Sequence, residues 1–204
     1  MDLKHEETKM PLIDRDDSAL VIIDVQSNFY PPRRRDVDRR HFHEVVQRIA
    51  WITSVADRLG IPVVATEEDP GTSGHTVAEI RDALPAKAVT LPKNAFAVWD
   101  NPGIAAAIEA TGRTTMVLVG IETDICVAHS AIRLHHAGKR VVVVDDAAYS
   151  PGQAHERGLR RLAGRGIEAL STKELFYDWV RTIEYADAFH DTHSELTVPP
   201  GVRL

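Results

Sequence analysis

The sequence predicts a three-layer α/β/α fold built on a parallel sheet, and two observations carry that expectation. Short β-branched apolar runs alternate with longer segments of helical period along most of the 204 residues, the pattern of strand–helix–strand units. The runs are continuous rather than alternating, as in Ala19-Leu-Val-Ile-Ile23, which suits strands covered by helices on both faces. A chain of this length buries roughly 70% of its unfolded surface, enough for one large core.

The elements follow in order. After the strand Ala19–Ile23, residues Val45, Val46, Ile49, Ile52, Val55, Ala56 and Leu59 recur at helical spacing from His43 to Leu59, and Gly60 ends the helix. Ile61–Ala65 reads as the second strand, with Pro62 tolerable at its start. Ala88–Leu91 is a weaker third strand. Pro102–Ala110 is an alanine-rich helix, with Asn101 as its expected cap and Pro102 at its first position. Thr115–Val119 is a strand, Asp124–His136 a helix closed by Gly138, and Arg140–Val144 another strand. A helix over Gln153–Ala163, a short strand Ile167–Leu170 and a mostly helical stretch Thr172–Ala188 complete the pattern. No composition break splits the chain, so a single domain over 1–204 is expected, with surface arms at about 1–15 and 190–204.

Composition excludes several classes. Basic residues number 24 and acidic residues 30, for a net charge of −6, which gives no general attraction to phosphate backbones and argues against a nucleic-acid partner. Cys126 is the single cysteine, so no intrachain disulfide is possible. The first twenty residues carry charge throughout. The longest apolar runs (Ala19–Ile23, Met116–Val119, Val141–Val144) fall far short of the ~20 residues of a membrane helix. A cytoplasmic protein with no membrane partner is the expectation.

Ligands of open α/β sheets bind beyond the carboxyl ends of the strands. Asp24 ends the first strand, Lys93 follows the third, and Cys126 lies just past the fourth. Each has an ordinary structural reading: a turn-forming Asp, a solvated Lys, a small buried Cys. The segment Gly120-Ile-Glu-Thr-Asp-Ile-Cys-Val127 changes the weighing. Thr123 or Asp124 can cap the helix and place Cys126 in its first turn, where the helix N-terminus and a nearby Lys favour a reactive thiolate. Free N–H groups of that turn can hold an oxyanion, and Asp24 can carry the proton.

Three motifs in this order resemble those of the isochorismatase-like cysteine hydrolases: Leu20-Val-Ile-Ile-Asp-Val-Gln26 with Asn28-Phe29, Pro92-Lys93-Asn94-Ala95-Phe96, and Gly120 to Val127 with Ala131 and Gly138. The resemblance spans about residues 18 to 170. It implies a six-stranded parallel sheet, a catalytic triad of Asp24, Lys93 and Cys126, and a non-proline cis peptide between Ile121 and Glu122. Backbone N–H groups of Glu122 and Cys126 would then face the oxyanion. It also implies a homo-oligomer, a dimer or larger. Gln26, Phe29, Glu67, Phe96, Trp99 and Thr123 are candidate pocket residues.

Departures from relatives narrow the chemistry. Nicotinamidases of the family bind a metal through Asp-x-His and a further His after the second strand. Here that stretch is Thr66-Glu-Glu-Asp-Pro-Gly71, with Pro70 in the place of the first His and His75 left alone. No metal and no other cofactor is therefore expected. True isochorismatases cleave a vinyl ether and lack the cysteine, so Cys126 favours attack on a carbonyl or other C–N centre. The expected function is hydrolysis of a small non-peptide amide, ureido or related C–N substrate through a thioester. The alternatives are a non-catalytic ligand-binding or scaffold protein, and a vinyl-ether hydrolase. Among weaker features, Arg33 to Arg35 belong to a charge run that can meet an anionic substrate, and His190-x-x-His193 sits in a tail. Gly71 and Gly74 flank a stretch that reads as a lid or simply as a loop.

Overall fold

A computed structural model describes residues 11–204, so the part of the expected amino-terminal arm over residues 1–10 lies outside the described residues. Six parallel strands form one sheet in the order β3-β2-β1-β4-β5-β6. They are β1 (Ser18–Ile23), β2 (Val63–Glu68), β3 (Val89–Lys93), β4 (Thr115–Ile121), β5 (Arg140–Tyr149) and β6 (Glu168–Leu170). The main helices are α1 (Arg39–Arg58), α2 (Pro102–Ala110), α3 (Ala128–His136), α4 (Ala154–Ala163), α5 (Thr172–Val180) and α6 (Ile183–Thr192).

Every residue of β1 is buried, and its side chains divide by parity. Leu20 and Ile22 pack with α1 residues Val45, Ile49 and Trp51 and with Phe176 and Trp179 of α5. Ala19, Val21 and Ile23 pack with Ile104 and Ile108 of α2, Leu134 of α3 and Leu162 of α4. That double burial explains the unbroken apolar runs.

The chain winds outward from β1 to β3 and then returns to pair β4 with β1, Ile23 opposite Gly120. The carboxyl ends of β1 and β4 thus form the switch point at which such sheets open a crevice. Gly120 is demanded there: at φ +120°, a Cβ would lie 2.1 Å from the carbonyl oxygen of Ile23.

Several elements differ from the sequence reading. Helix α1 begins at Arg39, because Asp38 Oδ1 accepts the His41 N–H at 3.0 Å and caps it. Strand β2 starts at Val63, beyond Pro62, and runs on to Glu68. Strands β4 and β5 are longer than expected, with a register shift between Leu118 and Gly120. The stretch 172–188 is two helices, broken at Arg181 with φ 67°. The described ends run along the surface and are anchored at individual points. Ile13 is fully buried, with its N–H donating to Asp178 Oδ2 at 2.8 Å. Val202 is buried, and Arg48 donates to the Pro200 carbonyl at 3.0 Å, so the tail has a home on α1. Among the described residues no helix is long and apolar enough to cross a membrane.

Candidate active site

Three strand ends deliver one cluster. Asp24 follows β1 with φ 55° and is wholly buried. Its backbone N–H donates to the Thr66 carbonyl at 3.1 Å, and its Oδ1 accepts from the Thr66 hydroxyl at 2.8 Å. Lys93 ends β3, also wholly buried, with Nζ 2.9 Å from Asp24 Oδ2. Cys126 lies past β4 at 2% exposure, its Sγ 3.5 Å from Lys93 Nζ. The structure therefore brings Asp24, Lys93 and Cys126 together across 69 and 33 residues of sequence. The Ile121–Glu122 peptide is cis.

The turn that carries Cys126 is wider than an α-turn. The Glu122 carbonyl accepts from the N–H of both Ile125, at 3.2 Å, and Val127, at 3.1 Å, and regular α-helix resumes at Ala128. Neither Thr123 nor Asp124 caps it, against expectation. The Thr123 hydroxyl meets His155 Nδ1 at 2.9 Å, and Asp124 Oδ1 accepts from the Ser150 hydroxyl at 2.7 Å. Helix α4 presses on the turn at Gly158, where a Cβ would lie 2.9 Å from Asp124 Cα and N.

The lysine loop is held just as firmly. Asn101 does not cap α2 with its side chain. Its Oδ1 accepts from the N–H groups of Asn94, at 2.9 Å, and Ala95, at 3.1 Å. Its Nδ2 donates to the carbonyls of Ala95, at 3.1 Å, and Ala97, at 2.7 Å. The Val98 N–H donates to Ser130 Oγ at 3.0 Å, which ties this loop to the helix after Cys126.

Glu68, which sequence reasoning passed over, completes the cluster. Its Oε2 is 3.2 Å from Lys93 Nζ and accepts from Cys126 Sγ at 3.1 Å. The signal was positional: Glu68 is the last residue of β2, opposite Lys93 in register. It also shares a strand face with Thr66, whose hydroxyl bonds Asp24.

Burial pushes the Asp24 carboxyl up, against the pull of Lys93. Burial opposes the charge on Lys93, yet Asp24, Cys126 and Glu68 hold its pKa above the ordinary lysine value. Burial and the Asp24 charge push the Cys126 thiol up, with Glu68 adding to the effect against Lys93. These influences favour the protonated thiol over the thiolate that the helix N-terminus alone would favour. Desolvation by burial is the largest of these influences, with the Asp24 charge next.

The remaining candidates divide. Phe96 is 54% exposed, with its ring centre 6.0 Å from Lys93 Nζ, and walls the site on one side. Gln26 and Glu67 serve the loop after β2 instead. Gln26 donates to the carbonyls of Glu68, at 3.0 Å, and Gly74, at 2.6 Å. Glu67 Oε1 accepts from the Thr76 N–H at 2.7 Å and its hydroxyl at 2.8 Å. Phe29 and Trp99 pack against opposite cores. Arg34 forks onto Asp36 at 2.9 and 2.8 Å and approaches Glu122 at 3.9 Å. His190 packs at a tilt against Phe176, and His193 meets Phe189 edge to face.

Asp24, Glu68 and Cys126 lie close enough together to ligate a cation. Lys93 Nζ already touches all three, at 2.9, 3.2 and 3.5 Å, so a divalent ion there would meet the ammonium's charge. His75 Nδ1 is engaged by Glu67 at 2.9 Å. The residues present do not fit the metal site of the nicotinamidases.

Comparison with known proteins agrees with this architecture. A family model described as the isochorismatase domain matches residues 18–174, from the start of β1 into α5. The chain is 25% identical over 187 residues to a probable hydrolase, YcaC, of Escherichia coli K12, covering 89% of this chain and 88% of the relative. Two solved structures share the fold. One, described as MAR1 ribonuclease from Caenorhabditis elegans, has a TM-score of 0.78 at 22% identity, over 94% of this chain and 97% of that one. The other, E. coli YcaC, described as an octameric hydrolase of unknown specificity, has a TM-score of 0.74 at 22% identity, over 90% and 92%. A domain match of that extent, laid over the six-stranded parallel sheet, makes the chain a member of the isochorismatase-like hydrolase family.

Proposed function

We propose that the protein is a cysteine-dependent hydrolase of small non-peptide amides, ureides or related C–N compounds, working through a thioester. The observation that carries this reading is the sole cysteine buried at the sheet's switch point, 3.5 Å from an ammonium that is itself paired to Asp24. A scaffold or binding protein gains nothing from burying an ion pair against a thiol, because such burial costs desolvation.

Asp24 takes the Cys126 proton as substrate enters, and its burial, which raises its proton affinity, suits it to that task. The thiolate attacks the carbonyl carbon while Lys93 balances the charge, and backbone N–H groups of Glu122 and Cys126 face the oxyanion. The C–N bond breaks as Asp24 returns the proton to the departing amine, leaving a thioester on Cys126. Asp24 then deprotonates a water, whose oxygen displaces the thiolate and releases the acid, and the proton on Asp24 returns to the Cys126 sulfur to restore the starting thiol.

A vinyl ether has no carbonyl carbon for the thiol to attack. A ribonuclease, the activity in the description of the C. elegans neighbour, would bring phosphate against the Glu68 carboxylate. Incubation with a panel of primary amides and ureides, read as ammonia or amine release, tests the proposal; release from none of them contradicts it.

The protein is further proposed to act in the cytoplasm, without a metal, as a single-domain subunit of a homo-oligomer. The octameric description of E. coli YcaC supports the last point.

A further inference from the structure

We propose that Glu68 selects the substrate, admitting carbonyl compounds that present N–H groups beside the reacting carbon and excluding those that carry a carboxylate there. The inference rests on Cys126 being the reacting nucleophile.

Glu68 covers that nucleophile, its Oε2 3.1 Å from Sγ and 3.2 Å from Lys93 Nζ. Its side chain is 28% exposed, whereas those of Lys93 and Asp24 are fully enclosed. A molecule approaching Sγ from solvent therefore meets the Glu68 carboxylate before it meets the ion pair. Asp24 already balances Lys93 at 2.9 Å, so Glu68 leaves this end of the site negative. The arginine-rich loop does not offset it, since Arg34 forks onto Asp36 and leans toward Glu122. Arg161 reaches the Asp124 carbonyl at 3.5 Å.

Chemistry sorts ligands in such a place. Both Glu68 contacts within the cluster use Oε2, which leaves Oε1 to accept from a ligand. The N–H groups of a primary amide, ureide or cationic amidine supply the matching donors, and a charged acceptor strengthens the bond. A carboxylate on the same carbon has no proton to offer. It would face like charge in a partly water-excluded site, where screening is weak.

Iodoacetamide and iodoacetate test this without a known substrate. Each is displaced at carbon by the Cys126 sulfur with loss of iodide, and they differ only in an amide against a carboxylate. Cys126 is the single cysteine, so peptide mass mapping follows its alkylation apart from slower adducts on histidine or methionine. Rates are referred to those of N-acetylcysteine at the same pH. The expected result is a preference of the native protein for the amide at least about tenfold beyond that of the free thiol. The preference falls to the free-thiol value in Glu68→Gln and is retained in Glu68→Asp, with circular dichroism confirming that each variant is folded. A wild-type preference equal to that of the free thiol, or one unchanged in a folded Glu68→Gln, overturns the role of Glu68 and leaves the nucleophile standing. A native Cys126 that reacts with neither reagent, while the unfolded chain reacts with both, overturns the nucleophile reading and this inference together.

Discussion

Glu68 and Lys93 face each other across the last register position of the β2–β3 pair, and their side chains meet at 3.2 Å. That single pairing brings the β2 carboxylate into a cluster otherwise supplied by β1, β3 and the turn after β4. Parallel register, not local sequence, assembles the site. Each group arrives at a different strand end and is braced from neighbouring elements: Thr66 of β2 holds Asp24, Gln26 holds the Glu68 backbone, and Ser130 of α3 ties down the loop after Lys93.

Lys93 is the electrostatic centre of the cluster, and its removal leaves Asp24 buried without a partner. Lys93→Met, close in volume, is expected to destabilise the fold by about 3–5 kcal/mol and to abolish turnover. Adding Asp24→Asn should recover part of the stability and none of the activity. Urea denaturation of the single and double variants measures both effects; full additivity of the two losses would show that the residues do not interact.

Gly158 is expected to be intolerant although it sits inside a helix. Alanine there gains up to about 1 kcal/mol in helix propensity. Its Cβ would lie 2.9 Å from the backbone of Asp124, which has no flexible end to yield. A net loss of about 1–3 kcal/mol is expected for Gly158→Ala, with a fall in turnover as the turn holding Cys126 shifts. Thermal melts and activity on the best panel substrate check it; an unchanged rate would show that α4 does not set the turn.

The loop after β2 should loosen in acid. Burial opposes the charge on Glu67, but the Thr76 N–H and hydroxyl and His75 hold its pKa below the ordinary carboxylate value. Its contribution is therefore present above that ordinary value and is lost as pH falls through and below it. Glu67→Gln is expected to cost about 1–3 kcal/mol near neutral pH, with the difference from wild type shrinking toward pH 3. Denaturation at the two pH values measures it, and a constant difference would rule out ionisation as the cause.

The fold was legible because buried parallel strands must be apolar on both faces, so β1, β4 and β5 stand out as continuous runs. Strand ends were less legible. Thr66-Glu-Glu68 extends β2 with polar residues because Thr66 and Glu68 join the cluster while Glu67 holds Thr76. Asp24, Lys93 and Cys126 could be nominated because each directly follows a strand. Glu68 was passed over because adjacent glutamates look alike until strand parity sends Glu67 to Thr76 and Glu68 to Cys126. The bracing by Asn101, Ser130 and Gly158 had no sequence signal. Asn101 reads as a helix cap until the loop it clamps is seen, and the approach of α4 is a tertiary fact.

The central claim is covalent catalysis by Cys126, with Asp24 as its proton carrier. The direct measurement is turnover of the best amide or ureide by wild type, Cys126→Ala, Asp24→Asn and the double variant, with intact mass taken during slow turnover. The account predicts an acyl adduct on Cys126, near-complete loss in each single variant, and little further loss in the double, because the two residues act as a unit. Cys126→Ala retaining more than roughly a tenth of the wild-type rate, a loss below ~1.4 kcal/mol in transition-state stabilisation, would contradict it.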